Sequence, residues 1–504
     1  MKTLFEIEAE ISGAEVVGDG NVTVSGITHD SRSVRSGYLF AALKGEHMDG
    51  AQFVPGAVES GAVAILCDSR IDINVPQLIV PNARDRLGEV AAACHNHPGE
   101  QLKLLGITGT NGKTTITWLV ETILREWQMP CGVMGTIEYR FESQKWHADH
   151  TTPEATVVQS IMRSMVDAGA RALAMEVSSH GIALGRLNGC PFDVVAFTNL
   201  TQDHLDFHHS MTEYGEQKLR LFTEMISHRP DVRIVLNEDD PFSARIRSEA
   251  SHPILSVSTR VGSDATLHPV SQPTYRIDGT SAIIQTPDGQ VTLESRLCGV
   301  HNLSNQLVAF GICRALGVPD QVVVSALARI LAVPGRLERV PCGEEVSVFV
   351  DYAHTPDALE NVLSVLKPLT RGRLMCVFGC GGDRDGSKRP LMGEAVARHA
   401  DITVITSDNP RTEDPDRIIE MVIPGVLKHQ QNQLDDIAGA GEKKGYVVIP
   451  DRRAAIEAVI LSAVPGDTVL LAGKGHEDYV IIGKEKRHFD DREEAAKALF
   501  RRQG

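Results

Sequence analysis

The sequence of 504 residues has no long apolar run and no excess of positive charge. Because no stretch approaches the roughly 20 apolar residues that a membrane helix needs, we expect no transmembrane segment. The formal net charge of −16 argues against general affinity for nucleic acid or anionic membranes, so any anionic ligand must be met by locally grouped cations and helix N-termini. The first residues, MKTLFEIEAEISGAE, place acids where a secretory signal needs a continuous apolar segment, which predicts a cytosolic protein.

Cysteines are few and scattered. There are nine, an odd number that fits reduced thiols rather than a disulfide framework. Cys376 and Cys380 form the closest pair, and no second Cys or His pair stands at ligand spacing, so we expect no zinc site. Apolar content of 42% and charged content of 23% are typical of a globular protein, and the length predicts about three domains.

Short runs rich in Val, Ile, Leu, Phe or Met recur along the chain and often end in a cluster of polar residues. Examples are ALAMEVSSH, VVAFTNLTQDH, VSVFVDYAH, LMCVFGCGGDRD, DITVITSDNPR and DTVLLAGKGHED. Helix-like segments such as EATVVQSIMRSMVDAG and RRAAIEAVILSAV separate many of them. This alternation predicts α/β domains with mostly parallel sheets, in which ligands bind at the carboxyl ends of strands.

The stretch from Leu104 to Thr115, LLGITGTNGKTT, is the most informative part of the sequence. A Gly-rich turn between a strand and a helix can wrap phosphate oxygens with its N–H groups, while Lys113 reaches the terminal phosphates and Thr114 ligates Mg²⁺. Ile107 stands where the first Gly of the usual G-x-x-x-x-G-K-[ST] loop belongs, so this is a variant loop. The alternative is a Gly-rich turn with an incidental lysine. The apolar run before the turn and the helix-like TTITWLVETILREW after it favour a nucleotide triphosphate site.

Two further apolar runs end in ionisable residues. Glu176 can hold a metal or position water, although an acid at this place can equally cap the next helix. The run VVAFTNL is followed by five ionisable residues within seven positions, namely Asp203, His204, Asp206, His208 and His209. We choose His204 as the ligand because, of the three histidines, it stands nearest the end of the strand.

Other candidates have structural alternatives that the residues alone leave open. Lys218 lies on an amphipathic helix, where lysines are ordinarily at the surface. Asn302 can cap a helix or contact a nucleotide, and Arg336 can bind phosphate or form a structural ion pair. Asp351 and His354 follow another apolar run.

The last third of the chain adds three polar clusters. The first, GCGGDRDGSKRP, has Arg384 where a dinucleotide fingerprint needs its last Gly, so we reject NAD binding and infer an anion-binding lip. Its cations are Arg384, Lys388 and Arg389. The second runs from Asp408 to Arg411, where Pro410 stiffens a turn that aims Arg411 at a carboxylate. The third runs from Gly473 to Glu477.

In chain order, GTNGKTT, EVSSH, NLTQDHLDFH, YGEQK, GVHNLSN, PGRLE, DYAHTPD, GCGGDRD, DNPR and GKGHED resemble the motifs of the Mur ligases. These are the ATP-dependent amino-acid-adding enzymes of peptidoglycan synthesis. The resemblance covers nearly the whole chain and is closest to the branch that adds the third residue, meso-diaminopimelate. It implies an N-terminal UDP-substrate-binding domain at 1–102, a central P-loop ATPase domain at 103–335 and a C-terminal Rossmann-like, amino-acid-binding domain at 336–504.

The resemblance also assigns roles to single residues. The ATP contacts it implies are Gly109, Thr110, Asn111, Gly112, Lys113, Thr114, Thr115, Asn302, Arg336, Asp351 and His354. The implied Mg²⁺ ligands are Thr114, Glu176, His204 and a Lys218 that carries a carbamate formed from CO₂ (N6-carboxylysine). Lys113, Glu176, His204 and Lys218 are the implied catalytic residues. The contacts to the UDP-muramoyl dipeptide are His29, Ser31, Glu46, His47, Met48, Thr151, Thr152, Ser178, Leu184 and Arg186. Those to diaminopimelate are Arg389, Asp408, Asn409, Pro410, Arg411, Gly473 and Glu477.

The implied reaction joins meso-diaminopimelate to the D-glutamyl carboxylate of UDP-N-acetylmuramoyl-L-alanyl-D-glutamate through an acyl phosphate. Two positions depart from the family pattern: Leu184 stands where we expect a polar side chain, and His29 replaces an apolar one. Alternatives are an L-lysine-adding or folylpolyglutamate-type ligase, or a nucleotide-gated switch protein. We expect a monomer with neither a nucleic-acid nor a membrane partner.

Overall fold

The computed structural model describes residues 1–45, 48–341, 345–441 and 443–503. The chain divides into two compact units, the first comprising Met1–His268 and Asn305–Val323 and the second Pro269–Ser304 and Val324–Gly504. None of the helices formed by the described residues combines the length and the apolar character needed to span a bilayer. The eight cysteines within these ranges are buried free thiols.

The first unit begins with a region that contains a five-stranded sheet and a separate two-stranded one. Its elements are β1 (Lys2–Thr3), α1 (Leu4–Glu10), β2 (Glu15–Val17), β3 (Thr23–Val24), β4 (Gly26–Thr28), β5 (Tyr38–Ala41), α2 (Val54–Glu59), β6 (Ala62–Cys67), β7 (Gln77–Ile79) and α3 (Ala83–Cys94). The strand order is β2-β7-β6-β5-β4, and all neighbours are parallel except β2 and β7. Apolar clusters cover both faces of this sheet, as the continuous apolar strands predicted.

An eight-stranded sheet follows in the same unit. Its elements are β8 (Lys103–Thr108), α4 (Lys113–Glu126), β9 (Cys131–Met134), β10 (Tyr139–Phe141), β11 (Gln144–Trp146), α5 (Ala155–Asp167), β12 (Ala172–Glu176), α6 (Ser179–Ala183), β13 (Val194–Phe197), α7 (Leu205–His208), α8 (Met211–Leu219), β14 (Arg233–Asn237), α9 (Phe242–Glu249) and β15 (Ile254–Val257). The order is β11-β10-β9-β12-β8-β13-β14-β15, with the six strands from β9 to β15 in this order parallel. The first strand, β8, lies between β12 and β13, so the chain turns to opposite sides of it, and ligands bind at such a switch point.

The next elements form a four-stranded sheet and two helices. They are β16 (His268–Pro269), β17 (Thr274–Arg276), β18 (Gly279–Thr286), β19 (Gly289–Ser295), α10 (Val300–Ala315) and α11 (Asp320–Arg329). The strands β17, β18 and β19 pair antiparallel.

The second unit ends with a region that contains a six-stranded sheet and a separate two-stranded hairpin. Its elements are β20 (Glu338–Arg339), β21 (Ser347–Asp351), α12 (Pro356–Leu366), β22 (Leu374–Phe378), α13 (Lys388–His399), β23 (Ile402–Ile405), α14 (Pro415–Val426), β24 (Gly445–Val448), α15 (Arg452–Ser462), β25 (Thr468–Ala472), β26 (Tyr479–Ile482), β27 (Glu485–His488) and α16 (Asp491–Gln503). The order is β20-β21-β25-β22-β23-β24, and all neighbours except β20 and β21 are parallel. Apolar clusters pack on both faces. The α/β class with mostly parallel sheets is thus confirmed, whereas the boundaries at 102 and 335 stay predictions.

Candidate active site

The predicted phosphate loop lies between β8 and α4. Gly109 and Gly112 have φ angles of 143° and 90°, which disfavour any side chain. A Cβ on Gly109 would lie 1.8 Å from Thr198 Oγ1. The Thr198 hydroxyl donates to the Asn111 carbonyl at 2.7 Å, which ties the loop to the end of β13. Thr198 therefore holds the loop in a conformation that leaves no room for a larger residue at Gly109.

Two lysines donate to one carbonyl oxygen of this loop. Lys113 Nζ lies 2.7 Å from Gly109 O and Lys218 Nζ lies 3.0 Å from the same atom. Lys218 is 1% exposed, with Nζ 4.5 Å from the centre of the Tyr214 ring. Burial lowers the pKa of Lys218 well below its usual value, Lys113 adds to this, and Asp203 opposes it. The surface position that the helical pattern favoured is wrong: Lys218 is a buried amine at the phosphate loop.

Glu176 ends β12 beside the loop, since its register partner in β8 is Ile107. The side chain is 1% exposed and accepts from the backbone N–H of Thr136 at 2.9 Å and from the Thr136 hydroxyl at 3.1 Å. The next helix, α6, is capped by Ser178 instead, so the capping alternative for Glu176 is wrong. Glu176 is a buried carboxylate one strand away from the phosphate loop.

Oxygen donors in this region suit Mg²⁺, which prefers one or two carboxylates together with substrate phosphates. Glu176 and the buried Thr114 hydroxyl are donors of this kind. Among the described ranges, no three His, Cys, Asp or Glu side chains come close enough to hold a metal by themselves. A metal here would therefore take part of its coordination from a phosphate-bearing ligand.

His204 lies in the turn before α7, with a φ of 54°. Burial lowers the pKa of its imidazole to about 4; Asp203, 3.4 Å away, opposes this, and His180, Lys113 and Lys218 add to it. The ring packs edge-on against His180, with centroids 4.8 Å apart. His204 is therefore neutral near pH 7 and keeps a lone pair for a ligand.

Several residues predicted to contact the dipeptide form one network at the end of β12. Thr152 Oγ1 donates to the Glu176 carbonyl at 2.7 Å and accepts from Ser178 N at 3.0 Å. Arg186 donates to the Thr152 carbonyl at 2.9 Å, and Thr151 Oγ1 lies 3.0 Å from Thr136 Oγ1. This network joins the predicted dipeptide contacts to the strand that carries Glu176.

The other members of that predicted set that the structure describes are His29, Ser31, Met48 and Leu184. Ser31 begins a short 3₁₀ turn, and His29 Nδ1 lies 3.4 Å from Thr156 Oγ1. Burial lowers the pKa of His29. Met48 and Leu184 are 63% and 47% exposed. Glu46 and His47 lie outside the described residues.

The other predicted ATP contacts lie in the second unit. Asn302 lies inside the first turn of α10 and donates to the Cys298 carbonyl at 3.0 Å, so the helix-cap alternative is wrong. Asp351 accepts from Leu337 N at 2.6 Å, which fixes the turn that carries Arg336. Burial raises the pKa of Asp351, while Arg336 opposes this. His354 is exposed at the end of β21, and its Nδ1 lies 2.8 Å from the Tyr352 carbonyl.

The predicted amino-acid contacts meet at the carboxyl edge of the C-terminal sheet. Asp408 and Asn409 follow β23, and Gly473 and Glu477 follow β25. Asn409 Nδ2 donates to Glu477 Oε2 at 2.9 Å. Burial raises the pKa of Glu477, Asp408 adds to this, and Lys474 opposes it. Burial acts in the same direction on Asp408, but Lys474 and Arg452 hold its pKa below the usual range.

Arg389 and Arg411 have different environments. Arg389 is 3% exposed and forms a two-pronged ion pair with Glu413, at 2.7 and 2.9 Å. Arg411 donates through Nη1 to the carbonyl of Gly382 at 2.7 Å. No carboxylate of the described residues forms an ion pair with Arg411. Arg411 is therefore the better placed of the two to receive a carboxylate from a ligand.

Sequence reasoning missed three groups that contact the predicted residues. Thr136 holds Glu176, Tyr214 lies under Lys218, and Lys474 lies among the predicted amino-acid contacts. Lys474 alone had a visible signal, because it stands within the Gly473–Glu477 cluster. The other two are brought in by tertiary packing.

Three protein-family models match the chain between residue 23 and residue 475. The models of the Mur ligase family catalytic domain, the Mur ligase middle domain and the Mur ligase glutamate ligase domain match residues 23–97, 107–313 and 335–475. The UDP-N-acetylmuramoyl-L-alanyl-D-glutamate–2,6-diaminopimelate ligase of Geobacter metallireducens is 43% identical over 503 residues, covering 98% of each chain. The ligase of the same name from Nostoc sp. is 44% identical over 514 residues and covers 99% of each.

A solved structure of a UDP-N-acetylmuramoyl-L-alanyl-D-glutamate–2,6-diaminopimelate ligase superposes with a TM-score of 0.72 at 32% identity. It is covered over 99% of its length, and this chain over 100%. The similarity in sequence and in structure thus extends over every element described above. The chain belongs to the Mur ligase family.

Proposed function

We propose that this protein is an ATP-dependent ligase that joins meso-diaminopimelate to the D-glutamyl carboxylate of UDP-N-acetylmuramoyl-L-alanyl-D-glutamate. The observation that carries the proposal is the meeting of the phosphate loop, Lys113 and the buried Glu176 at the ends of neighbouring strands. Full-length relatives that carry the name of such a ligase support the choice of substrates.

The first step joins two anions, so its main obstacle is charge repulsion. The glutamyl carboxylate attacks the γ-phosphorus of ATP, the bond to the β-phosphate breaks, and ADP leaves. Lys113 and the N–H groups of the loop neutralise charge on the transferred group. Thr114, Glu176 and His204 are the residues that would hold Mg²⁺, which would supply further neutralisation of the phosphates.

The second step forms the peptide bond. The amine of diaminopimelate attacks the carbonyl carbon of the acyl phosphate, loses a proton, and inorganic phosphate departs. Positioning supplies most of the rate here, because the carbonyl carbon is already activated by its phosphate leaving group. Arg411 favours diaminopimelate over L-lysine, since lysine lacks the distal carboxylate that a guanidinium binds.

Lys218 is proposed to carry a carbamate. Its neutral amine attacks CO₂, a C–N bond forms, and the amine proton leaves, so a cationic side chain becomes an anionic one. The burial of Lys218 and its lowered pKa support this step, because only the neutral amine is nucleophilic. With isotope-labelled bicarbonate, we expect a carbamate signal that Lys218→Met abolishes and that a change at the exposed Lys145 leaves intact. Active protein without that signal would contradict the carbamate.

The decisive experiment measures ADP formation with the UDP-muramoyl dipeptide and one amino acid at a time. We expect turnover that requires both the dipeptide and an amino acid, with meso-diaminopimelate preferred over L-lysine and glutamate. Preference for lysine would instead support an L-lysine-adding ligase, and turnover with a folate acceptor would support a folylpolyglutamate-type ligase. ADP formation independent of any acceptor would instead support a nucleotide-gated switch.

A further inference from the structure

Lys474 is a fully buried cation that the proposed reaction does not use. It follows Gly473 at the end of β25 and is 0% exposed. Burying an ammonium is costly unless acceptors surround it. The contacts of Lys474 therefore indicate its role in the structure.

Three acceptors surround the Lys474 ammonium. Nζ lies 3.0 Å from Asp408 Oδ1, 3.1 Å from Asn409 Oδ1 and 2.8 Å from the Tyr479 carbonyl. The contacts with Asn409 and Tyr479 are hydrogen bonds, and the contact with Asp408 is an ion pair. Because Lys474 is fully buried, a substrate does not reach its ammonium, and Lys474 acts through its neighbours.

The orientation of Asn409 follows from these donors. Its Oδ1 accepts from Lys474 Nζ and also from Ile481 N at 3.0 Å. Because both donors point at this oxygen, the amide nitrogen must face the opposite way, where it donates to Glu477 Oε2 at 2.9 Å. A chain of hydrogen bonds thus runs from the buried ammonium to one oxygen of Glu477 and leaves the other oxygen outside the chain.

The charges of the cluster point to the kind of group it receives. Asp408 and Glu477 contribute two negative charges, and Lys474 offsets one of them while lying 4.0 Å from Glu477 Oε2. The remaining negative charge suits an ammonium. Arg411, on the neighbouring turn, suits a carboxylate. An amino acid offers both groups.

We propose that Lys474 is a positioning residue that orients Asn409 and thereby holds Glu477 so that its outer oxygen receives the ammonium of the incoming amino acid. This inference rests on the proposed function, because it takes an amino acid as the ligand of this edge of the sheet. Glu477 contacts the substrate, and Lys474 acts only through Asn409 and Asp408.

The test compares Lys474→Met, which keeps the length of the side chain, with Lys484→Met at an exposed lysine of the β26–β27 turn. For Lys474→Met we expect KM for the amino acid to rise about 10- to 100-fold, the effect of losing a hydrogen bond to a charged group. The KM for ATP should stay unchanged. Lys484→Met should match the wild type in both. An unchanged KM for the amino acid in folded Lys474→Met would overturn the proposal.

A pH profile separates positioning from simple packing. The groups acting on Glu477 are Asp408, Lys474, Asn409 and Tyr479, and the phenol of Tyr352 also senses its charge. Lys474 lowers the pKa of Glu477, so its removal raises that pKa. The acid limb of kcat/KM for the amino acid should therefore move to higher pH in Lys474→Met. An acid limb at the wild-type pH would count against the proposal.

A second variant covers the case in which Lys474→Met does not fold. Asp408→Asn/Lys474→Met removes both members of the ion pair and strands no buried charge. We expect the KM of the double variant for the amino acid to exceed that of Asp408→Asn alone, because only the double variant lacks the hydrogen bond from Lys474 that orients Asn409. Equal KM values would refute the role of Lys474. If diaminopimelate is not the substrate, the wild-type protein itself will fail to use it. If Lys474 does not position Glu477, the wild type will still use diaminopimelate and only the ratio of variant to wild-type KM will differ from the expected value.

Discussion

Replacing Arg411 by Ala tests how the protein selects its amino acid. Arg411 has a φ of 50°, a left-handed conformation that is about as unfavourable for Ala as for Arg, so the turn should survive the change. The side chain is partly buried and donates to one backbone carbonyl, at Gly382. No carboxylate of the described residues competes for it. The substitution therefore removes a cation that is available to a ligand.

The magnitude follows from two charge-assisted hydrogen bonds between the guanidinium and the distal carboxylate of diaminopimelate. Each such bond contributes about 1.5–3 kcal/mol, and we take about 1.5 because the site is only partly buried. Two bonds give about 3 kcal/mol, which is on the order of a 100-fold loss in kcat/KM for diaminopimelate. L-Lysine lacks this carboxylate, so its kcat/KM should fall little.

The assay measures initial rates of ADP formation with diaminopimelate and with L-lysine at saturating ATP and dipeptide. Arg417→Ala, at an exposed position on α14, is the matched control and should leave both rates unchanged. An Arg411→Ala protein that keeps its preference for diaminopimelate would refute the reasoning. A parallel loss with both amino acids would also refute it, because the guanidinium would then not be reading the distal carboxylate.

Two further predictions concern the phosphate loop and the response to acid. Gly109→Ala should abolish ATP binding in a calorimetric titration without unfolding the protein, because the added Cβ would meet Thr198 Oγ1; Gly56→Ala, where nothing lies within 4 Å, is the control. ATP affinity equal to that of the wild type would contradict this. Burial lowers the pKa of His95 to about 4, with Arg163 adding to the shift, so below the unfolded pKa of about 6.5 the unfolded chain binds a proton that the folded one does not. As the pH is lowered from about 6.5 to about 4, the free energy of unfolding should therefore fall by up to about 1.4 kcal/mol per pH unit. His95→Gln should show a smaller loss of Tm from pH 7 to pH 5 than the wild type. Equal losses of Tm would exclude His95 as the cause.

The strand ends were predictable because their signals are local. An apolar run followed by a polar cluster predicted the ends of β8, β12, β21 and β25, and the structure places Glu176 and Gly473 there. The positive φ angles at Gly109 and Gly112 strongly favour glycine, so a loop of this shape leaves a clear pattern in the sequence. The phosphate loop was therefore recognisable although Ile107 replaces the first Gly of the usual motif. Within one parallel sheet all such ends share one edge, which is why clusters that are far apart in sequence but lie on the same sheet could be expected to meet.

The partners of these residues were not predictable, because they depend on strand order and packing. Lys218 has the sequence environment of a surface lysine and becomes buried only because α8 packs its Tyr214 face against the loop. Arg389 reads as an anion-binding cation, yet Glu413 from another turn pairs with it. In both cases the contact that decides the environment joins two segments that are far apart in the sequence, and a single sequence does not show that they are neighbours in space.

Two buried lysines, one in each unit, should react oppositely with CO₂, although Lys218 is 1% exposed and Lys474 is 0% exposed. Lys474 donates to Asn409 and to the Tyr479 carbonyl and forms an ion pair with the carboxylate of Asp408, an anion that would repel the negative charge of a carbamate on this side chain. Lys218 instead shares the Gly109 carbonyl with Lys113, a second cation that disfavours its charged form. Carbamate formation requires the neutral amine, so isotope-labelled bicarbonate should give one protein carbamate signal, retained in Lys474→Met and lost in Lys218→Met. A carbamate signal that Lys474→Met abolishes and Lys218→Met retains would show that the sign of the neighbouring charge does not decide which lysine reacts.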